Sequence, residues 1–197
     1  MQRFLGKRVI LVLVLCASIG TVVSSQGQSF TEPRYDLGAS IGYWVSGDVY
    51  LGLPDDWYSK NGSFLFRTWF DGYLMPKLAA GVYVNLSSVN FDDFDTEATM
   101  YEFGVALKPR FLVSPEFAIK PGVNLGYRGA SSDTAAAEFD AFGLNLSVEL
   151  QYQPAPLAEY GMYVFADTGF LSQPAGGNED QDITFPPIFY ISIGAGI

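Results

Sequence analysis

The chain has 197 residues, a formal charge of −10, no histidine and one cysteine, Cys16. Without histidine it lacks the commonest general base and the commonest metal ligand. A cysteine confined to an apolar N-terminal run leaves the rest of the chain no disulfide, thiolate nucleophile or cysteine–zinc site, and the acidic balance argues against nucleic-acid binding, which needs a basic face.

The first predicted element is a secretory signal over residues 1–25. Arg3, Lys7 and Arg8 supply its positive region and Val9 to Leu15 its apolar region; Val23 and Ser25 set a small-residue cleavage site before Gln26. Cys16 invites a lipoprotein reading, but Leu15 stands where lipid attachment wants a small residue. A short N-terminal segment, 26–34, is expected next, and a single domain over 35–197. No later stretch approaches the roughly 18 to 20 continuous apolar residues of a membrane helix, although hydrophobic residues make up 49% of the chain.

From Tyr35 onward the dominant period is two, the period of strands. The first predicted strand, Tyr35 to Val45, alternates Leu37, Ala39, Ile41 and Tyr43 with Asp36, Gly38, Ser40 and Gly42. The second, Ser63 to Tyr73, sets Phe64, Phe66, Thr68 and Phe70 against Arg67, Trp69 and Asp71. Leu78 to Ser87 follows, and then the segment from Tyr101, in which Phe103, Val105 and Leu107 alternate with Glu102, Gly104, Ala106 and Lys108, and Arg110 continues the polar face. Phe117 to Arg128 places Lys120 and Arg128 on the polar face, and Phe142 to Tyr152 places Glu149 there. Tyr160 to Leu171 sets Met162, Val164 and Ala166 opposite Tyr163, Phe165 and Asp167, and Ile188 to Ile197 closes the set. The expected fold is all-β, an eight-stranded antiparallel up-and-down transmembrane β-barrel, because an even strand count is what such a barrel requires.

The predicted connections alternate in length. Short turns fall at Leu74–Pro76, Val113–Pro115 and Pro154–Pro156; long polar loops are expected at about Ser46 to Gly62, Asn90 to Ala98, Gly129 to Glu138 and Ser172 to Thr184. Three features favour a membrane over a soluble sandwich. The polar face is crowded with glycines, among them Gly81, Gly104, Gly122, Gly126 and Gly143, which a narrow lumen needs and a watery face does not. The strands match the roughly 9 to 11 residues of a tilted membrane crossing. Aromatics such as Tyr43, Trp44, Tyr73, Tyr127 and Tyr152 recur near strand ends, where the bilayer interface suits them.

With these strands and the C-terminal run Phe189-Tyr190-Ile191-Ser192-Ile193-Gly194-Ala195-Gly196-Ile197, the chain resembles the small outer-membrane β-barrel domain family, the eight-stranded OmpX- and OmpW-like porin superfamily. The resemblance implies a cell outer membrane location in a Gram-negative-type bacterium, with the signal cleaved near Ser25, short turns and both termini in the periplasm, and long loops outside. It also implies outer-membrane lipid and the outer-membrane insertion machinery as partners. The final strand is similar to the signal that machinery reads, although Ile197 stands where an aromatic residue is usual. The lipid A deacylases and palmitoyltransferase-type barrels share this architecture but act through a histidine, which this chain lacks.

The residues singled out are therefore charges. Arg67, Lys108, Arg110, Lys120 and Arg128 face Asp36, Asp71, Glu102, Glu149 and Asp167 on the inward side. They are expected to form a packed, neutralised polar core, since buried charges persist only when paired. No cofactor and no catalytic residue is expected. The long loops carry Asp48, Asp55, Asp56, Asp92, Asp93, Asp95, Glu97, Asp133, Glu179, Asp180 and Asp182 against Lys60. Asp92, Asp93, Asp95 and Glu97 are the candidate ligands for a divalent cation, which takes several oxygens, although the run lacks the glycine and spacing of an EF-hand. Two roles remain open: a non-enzymatic structural or interaction barrel with acidic extracellular loops, and a conduit for small, apolar solutes. A lipid-modifying enzyme stands well behind both.

Overall fold

The strand Phe139–Tyr152 shows how the sequence builds the structure. Its residues alternate between buried and more exposed positions, and from Phe142 onward the polarity of a soluble protein is reversed. Asn145, Ser147, Glu149 and Gln151 are buried, while Phe142, Leu146, Val148 and Leu150 are exposed. A chain in water does not leave such a surface uncovered; a lipid bilayer does cover it.

The computed structural model describes residues 30–45, 47–51, 56–91, 96–132, 139–177 and 182–197. The strands are β1 (Tyr35–Trp44), β2 (Gly47–Leu51), β3 (Asp56–Lys60), β4 (Ser63–Met75), β5 (Leu78–Phe91), β6 (Thr96–Pro109), β7 (Phe111–Ser114), β8 (Phe117–Ser132), β9 (Phe139–Tyr152), β10 (Tyr163–Gly177) and β11 (Ile183–Gly196). All pairings are antiparallel, and β1 closes the sheet by pairing with both β4 and β11. The ring has eight walls. In three of them the strand is interrupted: β2 continues β1 alongside β11, β3 continues β4 alongside β5, and β7 continues β6 alongside β8. The proposed signal segment lies outside the described residues.

The strands run further than their sequence signals. The segment expected as a loop at Ser46–Gly62 is largely the β2–β3 hairpin. β5 runs to Phe91, β6 starts at Thr96, β8 reaches Ser132 and β10 reaches Gly177. The reason is physical: beyond the hydrocarbon layer the outer face no longer has to be apolar, so backbone pairing continues where alternation fades. Walls of 14 residues at a rise of about 3.4 Å and a tilt near 40° stand about 35 Å tall, against an apolar band of about 25 Å.

One rim carries the tight connections: Pro76–Lys77, Pro115–Glu116 and a single helical turn, Ala155–Ala158. Gly161, which follows that turn, has φ 66°, a left-handed value that glycine adopts without strain. Both ends of the barrel meet at this rim, where Leu37 and Ile197 exchange backbone hydrogen bonds of 3.0 Å. The break between β6 and β7 has a local cause. Leu107 pairs with Val123 and Phe111 with Ile119, so the same register sets Pro109 across from Pro121. Neither ring has an N–H to donate, and the ladder opens between them, while Arg110 N still bonds Lys77 O on the other side at 2.9 Å.

The lumen is filled in layers. Down β4 from the long-loop rim, the inward residues are Leu65, Arg67, Trp69, Asp71 and Tyr73; up β10 they are Tyr163, Phe165, Asp167 and Leu171. An apolar cap including Trp44, Leu65, Met100, Phe139, Leu171 and Phe185 lies at the long-loop end. A second apolar layer, Trp69, Tyr83, Ala106, Tyr163 and Phe165, lies between the charged levels.

Inward glycines make the room for these rings. A Cβ on Gly38 would lie 2.5 Å from the Trp69 ring, and one on Gly194 equally close to Phe165. Gly38→Val is therefore expected to lower the stability of the refolded barrel by about 1–3 kcal/mol, the usual cost of overpacking. Gly72→Ala, whose Cβ meets nothing nearer than 3.9 Å, should be close to neutral. Urea titration of the two variants in micelles checks both expectations.

Candidate functional site: the lumen charge network

Alternation places ten charged side chains inside the barrel: Asp36, Arg67, Asp71, Glu102, Lys108, Arg110, Lys120, Arg128, Glu149 and Asp167 are all buried. Five are cations and five anions, so among the described residues the interior is formally neutral. The apolar layer divides them into groups.

On the long-loop side, Arg128 and Glu102 sit opposite each other on β8 and β6. Arg128 donates to Glu102 Oε2 from Nε at 2.8 Å and from Nη2 at 2.5 Å. Its Nη2 also reaches Asn145 Oδ1 at 2.9 Å, and Nη1 reaches the Ser172 carbonyl at 3.1 Å. Glu102 Oε1 accepts from Asn145 Nδ2 at 2.5 Å and from the Tyr83 hydroxyl. Beside this group Arg67 bridges Asp167 at 2.5 Å, donates to Asn85 Oδ1 at 3.1 Å and to the Tyr190 hydroxyl, and lies over the Tyr190 ring.

On the short-turn side, Lys120 Nζ is held between Asp36 at 2.6 Å and Asp71 at 2.9 Å. Lys108 Nζ shares Asp71 Oδ2 at 2.8 Å and lies over the Trp69 ring, an arrangement that benefits from the ring's negative face. Tyr73 donates to Asp36 Oδ2 at 2.7 Å. The remaining cation and anion do not touch. Arg110 Nε donates to Gln151 Oε1 at 3.1 Å, and Gln151 Nε2 donates to Glu149 Oε1 at 2.7 Å. One amide therefore stands between the last two charges, satisfying each with the opposite end of its dipole.

Strand register does not set these partners by itself. Lys120 lies directly across from Glu149 in the β8–β9 ladder, yet its ammonium crosses the lumen to carboxylates on β1 and β4. A long side chain in a narrow barrel reaches the far wall as easily as the near one. Tyr83, Asn85, Asn145, Gln151 and Tyr190 complete the network, and they lie outside the charged set that the sequence singles out. Their signal is present, since each shares the inward parity of its strand, but neutral polar residues are not distinguished by charge. Asp92, Asp93 and Asp95 lie outside the described residues; Glu97 belongs to β6, opposite Asn90.

The ion pairs link β1, β4, β6, β8 and β10 inside the barrel. No family model matches the sequence, and no curated protein matches it. Among solved structures the chain is similar to the neisserial surface protein A, NspA, with 13% identity and a TM-score of 0.56 over 83% of this chain and 95% of that one. It is likewise similar to the outer membrane protein OprG from Pseudomonas aeruginosa, with 9% identity and a TM-score of 0.55 over 82% and 93% of the two chains. At these identities the likeness is one of fold. A closed ring of eight walls, apolar outside and charged within, together with these likenesses, gives the chain the fold of the small eight-stranded outer-membrane β-barrels.

Proposed function

We propose that the protein is exported and inserted in an outer membrane as a closed structural barrel, which anchors its long-loop rim outside the cell for interaction. What supports this reading is the set of buried inward side chains, charged and apolar, that line the lumen. Eight of its ten described charges are paired with one another, Arg110 and Glu149 are joined through Gln151, and two apolar clusters sit beside them. The lumen charges of the described residues cancel, so the acidic excess of the chain lies outside the lumen, with the loop acids at the long-loop rim. That rim is accordingly the face a partner meets first, and its field favours cationic groups.

Planar-bilayer recording of the refolded protein is expected to show no steady single-channel steps; regular steps would replace the closed reading with the conduit. Orientation is tested separately. A cysteine in the 92–95 connection should react with an impermeant thiol reagent on intact cells, and one at Pro115 should not. The reverse pattern would turn the barrel over.

A further inference from the structure

At the short-turn mouth, Arg110 is the inward cation with no carboxylate partner among the described residues. Its side chain makes one hydrogen bond there, from Nε to Gln151. The face of its guanidinium is covered by a residue from outside the barrel wall. Phe30, in the segment preceding β1, lies 4.6 Å from Arg110 Cζ by its ring centroid. The same ring packs on Tyr163 at 5.9 Å and joins the apolar layer. The segment is tied down behind it: Pro33 is buried, and the Arg34 carbonyl accepts from Tyr73 N at 2.9 Å. Ala79 and Ala118, each one position inside its strand end at this mouth, are fully buried.

We propose that Phe30–Arg34 is a reversible stopper for the short-turn mouth, latched by Phe30 on Arg110, and that its release uncovers a guanidinium that selects small anions such as carboxylates and phosphate. The Phe30 contact itself is weak beside a strand ladder, because the ring adds one cation face and one ring-to-ring contact to whatever holds the residues behind it. The receptor beneath is prearranged. Gln151 fixes Nε, and Glu149 fixes Gln151, so the guanidinium stays in place when the ring leaves. A planar fork of N–H donors with its one side-chain bond on Nε is the geometry that carboxylates and phosphates match. The neighbouring lysines are already paired with Asp36 and Asp71, which leaves Arg110 as the cation without a carboxylate contact among the described residues at this mouth.

The inference goes beyond the closed-lumen reading and is tested apart from it, in micelles. Cys16 is the only native cysteine, so in a C16S background Ala118→Cys reports access to the mouth. The probes are a sulfonate and a trimethylammonium methanethiosulfonate of similar size, applied to barrels whose folding is verified by heat-modifiable electrophoretic mobility. With Phe30 present, both should react slowly. Phe30→Ala should raise the rates, the anionic reagent by about tenfold, the scale of one lost cation–π latch, and the cationic reagent by clearly less. Phe30→Tyr, which keeps the ring, should remain slow. Adding Arg110→Gln to Phe30→Ala should leave the mouth open but remove the anionic preference. Unchanged rates in folded Phe30→Ala barrels would overturn the stopper. An anionic preference that survives Arg110→Gln would overturn the selection. Should Phe30→Ala fold poorly, Phe30→Leu retains the bulk, loses the latch and is read in the same way.

Discussion

Leu146→Arg is expected to be the most damaging single substitution on the outer face. Leu146 is 52% exposed, in the middle of β9, with Val123 and Phe170 beside it on the neighbouring strands. If that face meets hydrocarbon, a guanidinium there must be dragged from water into lipid, at a cost of about 2–4 kcal/mol near the midplane. Refolding into lipid vesicles, followed by the folded-band mobility shift and by urea titration, measures the loss directly. The inward neighbour Asn145 is one residue away, yet Asn145→Ala should act by a different route, by loosening the Arg128–Glu102 group. Were Leu146→Arg to insert with wild-type stability, the outer face would not be lipid-facing, and the fold would have to be understood as a soluble barrel with an exposed apolar coat.

The second large effect belongs to the lumen. Glu102→Gln and Arg128→Met should each cost about 3–5 kcal/mol, because each leaves a charge buried without its partner. Removing both should cost clearly less than the sum, since neither orphan then remains. The double-mutant cycle in urea isolates that coupling, and strict additivity would show the pair to be hydrated and independent, which in turn would favour an open lumen. Glu149→Gln offers the contrast. Its side-chain bond comes from the Gln151 amide, so the change keeps an acceptor but removes a buried charge and should cost about 1.5–3 kcal/mol, as for a hydrogen bond to a charged group.

These expectations rest on different kinds of information. Along any one strand, the side on which a residue lies is a local matter, because side chains alternate across a strand wherever one face must be apolar. Residues such as Phe142, Leu146 and Val148 therefore declare the outer face of β9 from sequence alone, and Glu149 is fixed to the other face by parity. The count of eight walls follows from the same signal, and the glycines of the polar face already imply a narrow interior. The extent of the walls was not legible, since above the membrane neither face needs a particular polarity, and the β2–β3 hairpin carries no clear alternation to announce it.

Only the tertiary structure decided who meets whom inside. Lys120 is aligned with Glu149 by register but bonded to Asp36 and Asp71 across the lumen, because a closed ring brings far walls within reach of a lysine side chain. The amide that joins Arg110 to Glu149 and the seat of Phe30 beneath Arg110 join residues distant in sequence, through ring closure and shear rather than through any local preference. The sequence by itself thus determined the faces and the number of walls, through the bilayer's demand for an apolar exterior; the partners, the layers and the closure of the mouth came from the geometry of a narrow cylinder.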